Sequence, residues 1–367
     1  MQFMKLPSHS SSLSSSSIIF LSFHVSLLFF SSEAVTKLPE NVTFPAVIFF
    51  GDSIVDQGNN NNLNTLTKCN FPPYGKDFSG GNPTGRFTNA KTPADLIAEG
   101  VGVKELLPAY LDPNLQTKDI PTGVSFASGA TGYDPQTPQL ASVLSMSDQL
   151  EMFKEYIGKL KVIVGEEGTQ NILANSFFVV VSGSDDIANT YFTIGIRRLQ
   201  YDIDSYTDLM ASSASSFIQE LYNLGARKIG VLGVPPIGCV PSQRTLAGGV
   251  IRGCSEKHNH AARLFNNKLS SEIDSLRNNL AQSRVAYMDV YYSLLDLIEN
   301  PHKHGFDVVN KGCCGTGNIE VSILCNKLSQ TCSDDSRYLF WDSYHPTEKG
   351  YRIIVNDILQ KYLSDFF

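Results

Sequence analysis

Ser53 is the residue best placed by type and position to act as a nucleophile. It follows the apolar run Ala46 to Phe50 and the pair Gly51-Asp52. A serine at the tip of a strand, facing a cleft, attacks an acyl carbon once a base removes its proton. As a bare tripeptide Gly-Asp-Ser also fits a plain turn, and the G-x-S-x-G elbow of another hydrolase fold is absent. The base must be a histidine or a substitute for one. His258 and His260 fall on a helical stretch beside Lys257 and Arg263, which reads as a solvated or packed helix face. His302 and His304 form H-x-H without a nearby third ligand, a poor metal site. His345 differs. It stands in Trp341-Asp342-Ser343-Tyr344-His345-Pro346, and an acid three residues before a histidine in a tight loop can turn both side chains into one cleft. Asp342 would then hold the imidazole while His345 Nε2 faces Ser53. The same hexapeptide also fits a helix-capping loop with a buried histidine. A tetrahedral intermediate further needs hydrogen-bond donors, for which the backbone N–H groups of Ser53 and Gly129 are candidates.

These residues need a scaffold that gathers strand ends. Five short apolar runs read as buried parallel strands: Ala46 to Phe50, Gly123 to Ala127, Phe177 to Val181, Lys228 to Leu232 and Arg284 to Met288. They are rich in Val, Ile and Phe without strict alternation, as expected when helices cover both sheet faces. Helical periodicity falls between and after them, at Pro93 to Gly100, Asp204 to Leu224, Ser255 to Leu280 and Thr347 to Leu363. No linker or repeat interrupts the alternation, which predicts one doubly wound α/β domain. Ligands in such a fold sit beyond the carboxyl ends of the strands. Gly51-Asp52-Ser53, Ser128-Gly129, Gly183-Ser184-Asp185-Asp186 and Pro235 to Cys239 all follow strands.

The amino terminus bears on the compartment. Ile18 to Phe30 is apolar but for Ser22, His24 and Ser26, and is shorter than the roughly 17–25 residues a spanning helix needs. Lys5 precedes it, and Ser32 and Ala34 follow in a small-x-small pattern. This predicts a secretory signal over residues 1–34 and a mature domain over residues 35–367. No later segment is apolar enough to span a membrane. Export makes disulfides the natural state of the cysteines. Cys239 and Cys254 bracket one loop and are expected to pair. Cys313, Cys314, Cys325 and Cys332 can supply two further bridges of open connectivity, with a zinc site as the competing reading that the adjacent Cys313-Cys314 pair makes awkward, and Cys69 is the expected free thiol. Asn41-Val42-Thr43 is an acceptor sequon for N-glycosylation at Asn41. The chain has 367 residues with a formal charge of −7 and no basic run. It therefore lacks the cationic face that nucleic acid requires. No metal, cofactor or phosphate-cradling glycine loop is expected, and the chain is expected to act as a monomer.

The blocks Phe49 to Asn60, Pro83 to Asn89, Phe126 to Ala130, Gly233 to Cys239 and Phe340 to Thr347, in this order, resemble the plant GDSL-type esterase/lipase family of the SGNH hydrolase superfamily. The resemblance runs from about Pro45 to Phe366. The run Gly183 to Phe192 resembles the extracellular lipase subgroup of pollen coats. The resemblance implies a three-layer α/β/α flavodoxin-like fold with a five-stranded parallel sheet and metal-free hydrolysis of acyl esters, whether of lipids or acetylated glycans. It also implies Ser53 as nucleophile, His345 as base, Asp342 as third member, and Ser53 and Gly129 as oxyanion donors. The chain departs from the superfamily at the third strand. There the pattern G-x-N-D supplies an Asn amide as third donor, and this chain has Asp185. An ionised carboxylate only accepts hydrogen bonds and repels a developing oxyanion. Two readings follow: a secreted serine esterase, or a secreted coat or binding protein of the same fold with weak or no turnover.

Overall fold

The computed structural model describes residues 42–317, 319–321 and 324–367. The signal segment 1–34 and Asn41 lie outside the described residues. Four strands form the central sheet: β1 (Val47–Gly51), β2 (Phe177–Val181), β3 (Lys228–Leu232) and β4 (Arg284–Met288). They pair in parallel in the order β1-β2-β3-β4. β1 and β2 are buried throughout, which is why their sequences are unbroken apolar runs rather than alternating ones.

The expected five-stranded sheet thus has four regular strands, and the segment from Gly123 to Ala127 is the exception. It runs parallel along the free edge of β1, with Phe126 N–H donating to Phe49 O at 2.8 Å and Ser128 N–H to Gly51 O at 2.9 Å. The ladder breaks at Gly51, whose N–H donates instead to Gln149 Oε1 at 2.8 Å while Gln149 Nε2 donates back to Gly51 O at 2.9 Å. A side chain arriving from 98 residues away takes the one Gly51 N–H that would have continued the ladder, while Gly51 O still accepts from Ser128. With this segment beside β1, the chain turns one way from β1 and then the other way through β2, β3 and β4. The carboxyl ends of β1 and β2 therefore bound the topological switch point, where doubly wound sheets hold ligands.

The helices are α1 (Pro93–Gly100), α2 (Gln136–Ala141), α3 (Met146–Asn175), α4 (Ile203–Asn223), α5 (Pro241–Ala247), α6 (Glu256–Asn279), α7 (Tyr291–Glu299) and α8 (Glu348–Tyr362). They cover both sheet faces. On one, Phe50 packs against Phe153 of α3 and Phe217 of α4. On the other, Phe177 meets Phe366, just beyond α8, at a ring separation of 4.6 Å. Thr347 caps α8 by accepting the N–H of Gly350, which fixes where the loop carrying His345 ends. A short parallel pair, β5 (Val308–Gly312) and β6 (Tyr338–Phe340), supports that loop from below. Disulfides join Cys239 to Cys254, Cys313 to Cys332 and Cys314 to Cys325, and Cys69 is a buried free thiol. No helix among the described residues is long and apolar enough to cross a membrane.

Candidate active site

The turn after β1 carries Ser53. It is possible only because residue 51 is glycine: φ is 137°, and a Cβ there would lie 1.8 Å from Val181 O of the neighbouring strand. Asp52 then donates its N–H to Val181 O and accepts the N–H of Ile54 on Oδ1. Ser53 is left half-buried at the sheet edge. The second contributor is the loop between β6 and α8. Trp341 N–H donates to His345 O at 2.7 Å, closing Asp342 to His345 into a tight turn.

In that turn Asp342 Oδ1 accepts the N–H groups of Tyr344 and His345, both at 2.8 Å. His345 Nδ1 lies 2.9 and 2.8 Å from the two carboxylate oxygens. His345 Nε2 lies 2.7 Å from Ser53 Oγ. A carboxylate offers no proton, so Nδ1 carries the ring hydrogen and Nε2 accepts the serine hydroxyl. Asp342 and His345 are both nearly buried. Burial pushes the Asp342 carboxyl up, but the His345 charge and the hydrogen bonds from His345 and Tyr344 hold it below the ordinary value. Tyr74 donates its O–H to Asp342 Oδ2 at 2.8 Å. Its distance of 268 residues along the chain left no local signal.

Ser53, Asp185, Asn189 and His345 line one cavity of about 550 Å³. Phe71 and Phe87 line it too, and the Phe87 ring centre lies 5.2 Å from that of His345. Phe78 does not reach it and stacks under the Arg86 guanidinium. Deeper in, the wall is formed by Leu294 of α7 and Ile354 and Ile358 of α8. The site is therefore a polar corner on a mostly apolar chamber, the usual build of a pocket for an apolar ligand with one reacting group.

Gly129 differs from its expected role. Its N–H donates to the buried Asp56 Oδ2 at 2.9 Å, so it is committed inside the protein. Asp56 also accepts the N–H groups of Gly58 and Asn59, and burial pushes its carboxyl up to about 6. Asn59 Nδ2 donates to Ser125 O and Ala127 O, and Asn60 Nδ2 to Gly129 O. The Asp56-Gln57-Gly58-Asn59-Asn60 run is thus a staple between the two segments that flank the site. Ser53 N–H carries no hydrogen bond among the described residues. Ala130, with φ of 66°, lines the cavity beside it, and its N–H is likewise without a partner there. Asp185 is half-buried, and burial pushes its carboxyl up to about 6 while nearby His345 pulls it down.

Two other histidines, His258 and His304, make structural contacts away from the site. His258 is buried with Nδ1 2.6 Å from Ser255 Oγ, and burial lowers its pKa to about 4. His304 Nε2 lies 2.7 Å from Asp296 Oδ2. No group of three or more metal-ligating side chains occurs among the described residues.

Residues 47–358 match the profile of the GDSL-like lipase/acylhydrolase family. The chain belongs to that family. Membership makes this GDSL hydrolase a carboxylic ester hydrolase. It is 56% identical over 340 residues to the GDSL esterase/lipase EXL3 of Arabidopsis thaliana, covering 92% of this chain and 93% of that one. It is 50% identical over 370 residues to the GDSL esterase/lipase EXL2 of the same plant, covering 97% and 98%. Among solved structures it is similar to a catalytic mutant of Axe2, an acetylxylan esterase from Geobacillus stearothermophilus. That match has 10% identity, 87% and 94% coverage and a TM-score of 0.42. A phospholipase A1 from Streptomyces albidoflavus has 14% identity, 86% and 100% coverage and a TM-score of 0.40.

Proposed function

We propose that this GDSL hydrolase is a secreted serine esterase or lipase that cleaves carboxylic acyl esters through Ser53, His345 and Asp342. The observation that carries the reading is the relay of contacts at the mouth of the apolar cavity. Ser53 Oγ is 2.7 Å from His345 Nε2, and Asp342 holds the far side of the same ring. As Ser53 attacks the acyl carbon, its proton passes to His345 Nε2, and the imidazolium is stabilised by Asp342. The Ser53 N–H is available to the developing oxyanion. Collapse of the tetrahedral intermediate expels the alcohol with the proton from His345. Water, deprotonated by the same ring, then releases the acid.

The three disulfides and the sequence of residues 1–34 support export, with a mature hydrolase domain over residues 35–367 and a glycan at Asn41. The apolar depth of the cavity favours acyl chains over short acetyl groups. Each buried methylene is worth about 0.8 kcal/mol, or roughly fourfold in kcat/KM. Acyl esters of increasing length, hydrolysed by wild type and Ser53→Ala, test this. The expected result is a stepwise rise with chain length that Ser53→Ala abolishes. Equal rates for acetyl and long-chain esters would overturn the substrate class, and full activity of Ser53→Ala the mechanism. Asp185 favours the second reading, a coat or binding protein with little turnover, and on that reading wild type and Ser53→Ala are equally inert.

A further inference from the structure

We propose that the side-chain amide of Asn189 is the third oxyanion donor of this enzyme, standing in for the asparagine whose place Asp185 takes. The inference rests on the acyl-hydrolase reading above and goes on to account for its one irregular residue. Asn189 lies four positions after Asp185 and lines the cavity that holds Ser53 and His345. Its amide is clamped from both sides. Nδ2 donates to Asp185 Oδ1 at 2.6 Å, and Oδ1 accepts the O–H of Tyr344 at 3.1 Å. Asp185 as a carboxylate accepts, and the Tyr344 hydroxyl donates, so the amide has one orientation rather than two. An amide nitrogen carries two hydrogens. One goes to Asp185, and the second has no acceptor among the described residues.

The backbone is shaped to the same end. Asp186–Thr193 forms a π-helical turn, with Ile194 N–H donating to Asn189 O at 2.7 Å. Such widened turns recur at functional sites because they re-aim one side chain. Tyr344 is the neighbour of His345, so the loop that carries the base also braces the donor. Gln243 Nε2 in turn donates to the Tyr344 hydroxyl at 3.3 Å. On this account Asp185 is a positioning residue: one of its oxygens is engaged by the amide it orients. No bond to Asn189 forms or breaks during the reaction. The hydrogen bond from its N–H to the carbonyl oxygen shortens as that atom takes up charge.

The test compares Asn189→Ala, Asn189→Asp and the double variant Asp185→Asn with Asn189→Ala. Short acyl esters give kcat and KM, and an alkyl boronic acid, which forms a tetrahedral adduct with the serine, gives an inhibition constant. Removing one oxyanion donor lowers kcat about 10²–10³-fold. Asn189→Ala is expected to show that loss with little change in KM, and the boronate should weaken by a similar factor. Asn189→Asp at pH 8 keeps the shape without the N–H donors and carries the same prediction should the alanine variant not fold. The double variant, which returns an amide to position 185, is expected to recover activity relative to Asn189→Ala. A purely structural role would not be rescued in this way. Unchanged kcat in both single variants, with Ser53→Ala inactive, overturns this proposal alone. An active Ser53→Ala overturns the reading beneath it. A loss in Asn189→Ala that the double variant fails to reverse, with boronate affinity unmoved, also counts against the donor role.

Discussion

Burial sets the chemistry of single residues in this site. Asp342 keeps its charge because Tyr344 N–H, His345 N–H, the His345 ring and the Tyr74 hydroxyl all point at it. Hydrogen bonds to a charged group are worth about 1.5–3 kcal/mol each. Tyr74→Phe removes one and leaves the ring packing, so denaturant unfolding should show a loss of that size. Replacing Asp342 with Asn should lower kcat about 10⁴-fold by disturbing the imidazole tautomer, measured on any ester the wild type cleaves. Asp185 works in the other direction. Its carboxyl titrates at about 6, so above that pH a negative charge stands beside the reacting centre. Asp185→Asn keeps an oxygen to accept from Asn189 and loses the charge. Its kcat should exceed the wild-type value above pH 6 and converge with it below, and a lower kcat across the range would show that the acid has a role of its own.

At the level of elements, the site is assembled where two loops meet across the switch point, and each loop is fixed by contacts distant in sequence. The positions of Ser53 and His345 at the ends of elements were legible because those signals are local: a glycine-led turn after an apolar run, and an acid three residues before a histidine ahead of a helix cap. Their pairing was favoured over the plain-turn and capping-loop readings only by the family resemblance. The strand boundaries Phe177–Val181, Lys228–Leu232 and Arg284–Met288 were legible for the same reason. The segment from Gly123 to Ala127 reads as a strand by composition, yet Gln149 takes the Gly51 N–H that would continue its ladder. The 30-residue α3 escaped notice because its pattern changes midway. Leu150, Phe153, Tyr156 and Leu160 are buried along its first half, and Gly165, with φ of 75°, then breaks the register. Gly129 looked like an oxyanion donor because its partner Asp56 is 73 residues away. The staple formed by Asp56 carries a prediction. Asp56→Ala removes the acceptor of three N–H groups, and leaving buried donors unsatisfied costs about 1–3 kcal/mol each. Thermal unfolding should fall accordingly, and esterase activity should fall with it as the segment carrying Ala130 drifts.

For the whole molecule, three disulfides and a set of buried acids shape how stability responds to conditions. The bridge between Cys239 and Cys254 closes a loop of 15 residues, for which chain entropy gives about 3 kcal/mol. Replacing both cysteines with alanine should lower unfolding stability by about that amount. Asp56 and Asp185 are raised to about 6 and Asp186 to about 7, all by burial. A carboxyl raised in the folded state binds its proton more tightly there than in the unfolded chain. Its contribution is therefore complete below about pH 4 and is lost as pH rises to 6–7, at up to about 1.4 kcal/mol per pH unit for each group. Asp342, held low, has the opposite sign and contributes above pH 4. Unfolding midpoints should consequently decline from pH 5 to pH 7. All of this scaffolding serves one claim, that Ser53 is a nucleophile activated by His345. Incubating the intact chain with an alkyl fluorophosphonate and locating the adduct by peptide mass spectrometry tests it most directly. A single stoichiometric adduct on Ser53 is expected, absent in Ser53→Ala and formed far more slowly in His345→Ala. Hydrolysis of acyl esters by a chain that carries no adduct at Ser53 would contradict it.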